Sequence, residues 1–75
     1  MLRLRSFNGF ISESELTREW VKNNPTFTVY KDNVMIGRIY KEPFDAQRVV
    51  MEVFDLRYYD DAKHIHKLVS QLGQR

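Results

Sequence analysis

Seventy-five residues without cysteine, 43% of them hydrophobic and 29% charged, describe one small folded domain and leave no room for a second. A chain this short buries only roughly 60% of the surface its unfolded form exposes, and with no cysteine it has neither disulfides nor thiolate metal clusters to reinforce a modest core. Twelve Lys and Arg against ten Asp and Glu leave a net charge of +2, too slight by itself to mark a nucleic-acid partner.

The chain opens with Leu2 and Leu4 alternating with Arg3 and Arg5, and with Phe7 close behind, the period of two of a half-buried strand. A strand is predicted over residues 2 to 7, ended by Asn8-Gly9. Ser12 stands three residues before Glu15, the spacing of a capping box, and Asn23-Asn24-Pro25 is a stop signal. A helix is therefore predicted over about 13 to 23, carrying Leu16, Trp20 and Val21 on one face.

Thr26 to Tyr30 and Val34 to Tyr40 are rich in β-branched and aromatic residues and flank Lys31-Asp32-Asn33, where Asp and Asn tolerate a left-handed backbone. That pattern predicts a β-hairpin, with Pro43 ending it. Gly37 inside the second strand marks a close approach by another backbone or side chain. Residues 47 to 55 fit a strand through Val49, Met51 and Val53 and a helix through Val49/Val53 and Val50/Phe54; three valines favour the strand. From Asp55, a good N-cap, Leu56, Tyr59, Ala62, Ile65, Leu68, Val69 and Leu72 recur every three or four residues until Gly73, a suitable C′ residue.

The expected fold of residues 1–75 is thus a single α+β domain, a small antiparallel sheet of three to four strands packed against two helices in the order β-α-β-β-β-α. Apolar runs stop at three residues, as in Val34-Met35-Ile36, against the roughly 20 needed to cross a bilayer, so no membrane partner is expected. The opening Met-Leu-Arg-Leu-Arg has no apolar segment behind it to make a secretory signal. A cytoplasmic location is expected, and Met1 leads us to expect a complete product.

Few constellations suit chemistry. His64 and His66 are two apart, which on a helix turns them about 200° from each other, so they cannot clasp one metal ion. Asp60 and His64 have the i, i+4 spacing of a surface hydrogen bond. Glu52, Asp55, Tyr58 and His64 are the candidates for acid–base work, yet no nucleophile, zinc or phosphate-loop motif accompanies them. No enzyme activity, cofactor or metal is expected.

Two binding readings remain. In the first, one Trp, five Phe and four Tyr exceed what so small an interior can hide, and exposed aromatics beside Arg are the residue types of protein interfaces. Trp20, Tyr30, Tyr40, Tyr58 and Tyr59 are the expected anchors for a partner protein, with the chain acting as a regulator, adaptor or inhibitor. The apolar face of the 56 to 72 helix also offers a route to a homodimer.

In the second reading, Lys31, Arg38, Lys41, Arg48 and Arg57 contact nucleic-acid phosphates, interleaved with aromatic residues that stack on bases. Residues 13 to 73 follow an α-β-β-β-α order, with Asp61-Ala62-Lys63 through Leu68 in the last helix; this resembles double-stranded-RNA-binding domains, although Asp60-Asp61 stands where that family has a basic cluster. Residues 26 to 72, with Val49 to Asp55 at the last strand and helix entry, are similar in element order to the three-strand-plus-helix domains of plant transcription factors and integrase arm-binding regions. Those resemblances imply a sheet face laid on nucleic acid. The readings predict different salt responses: phosphate contacts lose affinity with a log-log slope of about 0.9 each on duplex DNA, whereas an aromatic-anchored protein interface scarcely responds. Anisotropy titrations at two salt concentrations measure the difference.

Overall fold

The computed structural model describes residues 1–73, and only the backbone of residues 46 and 47. It is an α+β fold built on a five-stranded antiparallel sheet: β1 (Leu2–Ser6), β2 (Gly9–Ser12), β3 (Thr26–Lys31), β4 (Val34–Glu42) and β5 (Asp45–Val53), in the spatial order β2-β1-β3-β4-β5. Helices α1 (Arg18–Asn23) and α2 (Tyr59–Leu72) are the two α-helical elements among the described residues.

The strand count corrects the expected three to four. Asn8-Gly9 does not merely end the first strand. Phe7 and Asn8 form a two-residue loop between Ser6 and its partner Gly9, whose φ of 113° suits only glycine, and the chain returns as β2. Leu4 pairs with Ile11 on one side and Val29 on the other, so β1 is an interior strand.

The single helix expected over 13 to 23 is also corrected. Glu15 accepts from the backbone N–H of Ser12 at 3.3 Å and from its hydroxyl at 2.9 Å, but this closes only one 3-10 turn, Glu13–Glu15. Leu16 and Thr17 are extended. Thr17 then caps α1, its hydroxyl accepting from the Trp20 N–H at 3.1 Å. Asn24, buried before Pro25, donates its side-chain amide to the Trp20 carbonyl at 2.8 Å and ends the helix there.

The β3–β4 hairpin turns on Asp32 and Asn33, both left-handed at φ 50° and 67°, as a type I′ turn requires. A bulge follows at Val29/Tyr30, where Ile36 is the extra residue. It buries two consecutive positions, Ile36 and Gly37. The valine-rich segment is strand β5, reached from β4 through Pro43 and Phe44. Asp55 accepts from the Arg57 N–H at 3.0 Å and caps a 3-10 turn, Leu56–Tyr58, that leads into α2. Gly73 closes α2 in a right-handed conformation at φ −82°, not the left-handed one that a C′ glycine commonly takes.

Leu2, Leu4, Val21, Phe27, Val29, Ile36, Ile39, Ala62, Ile65 and Val69 form the buried core, all on the helix side of the sheet. Each fully buried Leu, Ile or Val contributes about 1.5–3 kcal/mol relative to exposure. Arg18 pins α1 to α2, its Nε donating to the Leu72 carbonyl at 2.9 Å, one of the orphan acceptors at that helix end. His66 donates from Nε2 to the Val49 carbonyl at 2.8 Å and fastens α2 to β5.

Gly37 is the tightest place in this packing. A Cβ there would lie 2.6 Å from the Glu52 carbonyl oxygen and 3.7 Å from the Ala62 Cβ. Gly37→Ala is expected to cost about 1–3 kcal/mol, because backbone must move to admit the methyl. Urea unfolding measures it; an unchanged midpoint would show that β5 yields freely.

Candidate protein-binding face

Strand pairing determines which side chains share the sheet face turned away from the helices. Arg3 pairs with Tyr30, Arg5 with Phe10 and Thr28, Thr28 with Arg38, Tyr30 with Met35, Arg38 with Glu52 and Tyr40 with Val50. Alternation places all of these opposite to the buried Leu4, Val29 and Ile39. Both α-helices lie on the other side, so this face is uncovered.

Two aromatic clusters occupy it. Phe10 meets Tyr30 edge-on, with ring centroids 5.3 Å apart, and the guanidinium of Arg3 lies 4.4 Å from the Phe10 centroid, with that of Arg5 at 5.7 Å. Arg38 lies 4.6 Å over the Tyr40 ring. Phe10 remains 44% exposed and Met35 47%. Beside the first cluster is a recess of about 440 Å³ whose lining includes Arg5, Phe7, Thr26, Thr28, Tyr30 and Met35, with Ser6 and Phe27 also contributing. At one end of the sheet Phe7 and Phe44, each on a hairpin loop, are fully exposed.

Of the five anchors expected for a partner protein, Tyr30 and Tyr40 belong to this face. Trp20 instead packs half-buried against Phe27, with ring centroids 5.1 Å apart at 68°. Tyr58 is half-buried against the core, and Tyr59, more exposed, opens α2 with Lys63 5.9 Å from its ring. Phe10 and Met35 were not singled out by sequence reasoning. The signal for Phe10 is Asn8-Gly9 followed by Phe10-Ile11-Ser12, a hairpin dipeptide with a short alternation behind it.

The five cations expected to meet phosphates are scattered, and four have carboxylate partners. Lys31 binds Asp61 at 3.1 Å, Arg38 binds Glu52 at 3.2 Å, Arg48 binds Glu42 at 3.4 Å and Arg57 binds Asp55 at 2.7 Å. Lys41 has no acidic partner among the described residues but pairs with Val49, on the helix side. Arg3 and Arg5 have no carboxylate partner among the described residues either, and both lie on the open face.

The acid–base candidates do not converge. Glu52 and Asp55 face Arg38 and Arg57, while His64 meets Glu13, not Asp60 as its spacing suggested. His66 is engaged with Val49, and no group of three metal-ligating side chains occurs among the described residues. A concavity of about 490 Å³ between the Glu13–Glu15 turn and α2 is lined by Met1, Leu16, Leu68 and Leu72, with Glu13 as its one charged side chain. No described helix is long and apolar enough to cross a membrane. Comparison with protein families, with curated proteins and with solved structures yields no match.

Hydrogen bonding and then charge from Arg57 hold the Asp55 carboxyl below its usual range, and the same pair raises Arg57. The hydrogen bond to Asp61, followed by its charge, raises the Lys31 amine above the usual lysine range. A raised lysine stabilises the fold fully below its unfolded value and ceases to do so as pH climbs through the folded one. Lys31→Met is therefore expected to melt below wild type at neutral pH, with the gap closing only above about pH 10.4. Thermal melts across an alkaline series check this; a gap constant to the highest pH would assign the loss to packing alone.

Proposed function

We propose that this chain is a non-enzymatic, intracellular interaction module that binds a partner protein as a regulator, adaptor or inhibitor, and that the open sheet face is its contact surface. One observation carries the reading: Phe10, Tyr30, Met35 and Tyr40 lie on one uncovered face with arginine guanidinium groups set over the Phe10 and Tyr40 rings. A face destined only for water would carry polar residues at these positions. Aromatic side chains bring large apolar area at little entropic cost, and an arginine already stacked on a ring loses less freedom when a partner arrives.

A nucleic-acid module is supported less well. Carboxylates already neutralise Lys31, Arg38, Arg48 and Arg57, so β4 and β5 offer a phosphate backbone no net attraction. Two uncommitted arginines on β1 would give a salt slope of only about 1.8 on duplex DNA.

Replacing Phe10 or Tyr40 with photoreactive benzoylphenylalanine tests the surface. Irradiation in a lysate of the source cells is expected to give discrete protein adducts at both positions and none at exposed Lys67 on α2. Adducts at Lys67 alone, or none at either sheet position, would reject the open face as the contact surface.

A further inference from the structure

The open face is not uniform in charge. On its β4–β5 half each arginine faces a carboxylate, Arg38 with Glu52 and Arg48 with Glu42. On its β1–β2 half Arg3 and Arg5 have none among the described residues, and both are exposed. Their guanidinium groups are held over the Phe10 ring, at 4.4 and 5.7 Å from its centroid. The electrostatic attraction of this face is thus concentrated at one end, beside the exposed Phe10 ring.

The shape beside that charge is specific. Thr28 pairs with Arg5 on one side and Arg38 on the other, so a short side chain separates two long ones and leaves the 440 Å³ recess above β3. Tyr30 and Met35 close one end of it. Its lining is mostly aromatic, thioether and methyl surface, with Arg5 and Ser6 as polar members. A recess of this kind accepts one large apolar side chain while a carboxylate next to it reaches arginine. Methionine is suited to the inner wall because its unbranched side chain adapts to different occupants.

We propose that Arg3, Arg5, Phe10, Tyr30 and Met35 form a docking site for an acidic segment of the partner protein, a stretch in which Asp or Glu stands next to an aromatic or large aliphatic residue. The inference deepens the protein-binding reading above and rests on it. Carboxylates accept from Arg3 and Arg5 in the paired, planar geometry that guanidinium favours, and the apolar neighbour fills the recess over Thr28. The other half of the face, where Glu52 and Glu42 already pair with Arg38 and Arg48, offers no net positive charge and so sets the direction of the segment: its acidic end lies over β1, and a continuous polyanion gains nothing along β4 and β5.

Selection of a random-peptide phage library against the folded protein tests this. Selected peptides are expected to be enriched in Asp and Glu within two or three positions of Phe, Trp, Tyr, Leu or Met. Their binding is expected to fall about tenfold for each of Arg3→Gln and Arg5→Gln, and similarly for Phe10→Ser, with circular dichroism showing the variants folded. Lys63→Gln and Lys67→Gln on α2 should leave binding unchanged, and short single-stranded oligonucleotides should not compete. Peptides with no acidic bias that still lose binding in Phe10→Ser would overturn the acidic segment and leave the protein-binding face standing. Peptides indifferent to all three sheet variants, or none selected at all, would overturn both. Oligonucleotides that displace the peptides through Arg3 and Arg5 would replace the acidic protein segment with nucleic acid.

Discussion

Two strands can close on each other at a crowded point only where no side chain stands between their backbones, and here that place is Gly37 on β4, where a Cβ would lie 2.6 Å from the Glu52 carbonyl oxygen of β5. With β4 and β5 seated together, α2 packs over the sheet with Ala62 at ordinary contact distance from Gly37, and its Ile65 and Val69 join Ile36, Ile39 and Val29 in one buried layer. A chain of this length can form only one such layer. Since α2 and the short α1 are both spent on one side, the other side of the sheet meets water, and its chemistry follows from that allocation.

Local chemistry in the sequence was enough to locate several elements. The Asp32-Asn33 turn, the seven-position apolar stripe from Leu56 to Leu72 and the crowding at Gly37 each depend on residues close in sequence or on one side chain's size. The Val49, Met51 and Val53 alternation also resolved correctly as a strand. What escaped was decided at a distance. β2 has only four residues, too few for its alternation to stand out, and it exists because β1 offers it a partner. The 13 to 23 helix broke because Ser12 and Glu15 satisfy each other in one turn, while Thr17 makes a better cap for α1.

The candidate face was legible in the same uneven way. Tyr30, Tyr40 and Arg38 were recognisable as strand residues with interface character, and plain alternation sets them on one face, but Met35 joins them only because Ile36 is the extra residue of the bulge, which no local pattern announces. Trp20 had the composition of an anchor and packs half-buried beside the core, where Phe27 gives its ring an apolar partner. The pairing of Arg38 with Glu52 and of Arg48 with Glu42 is a matter of register, and register separates a basic strand from a neutral one. A count of cations along the chain therefore overstated what is free to bind phosphate.

The hydrogen bond from His66 to the Val49 carbonyl bears on how this protein avoids its own kind. An open sheet ordinarily invites another strand to add at its rim, the route to filaments and amyloid. At β5 an incoming strand would have to evict an imidazole anchored in the packed helix. At the opposite rim β2 is only four residues long, and the Ser12 N–H is already given to Glu15. Lateral growth is discouraged at both rims while the flat of the sheet stays accessible.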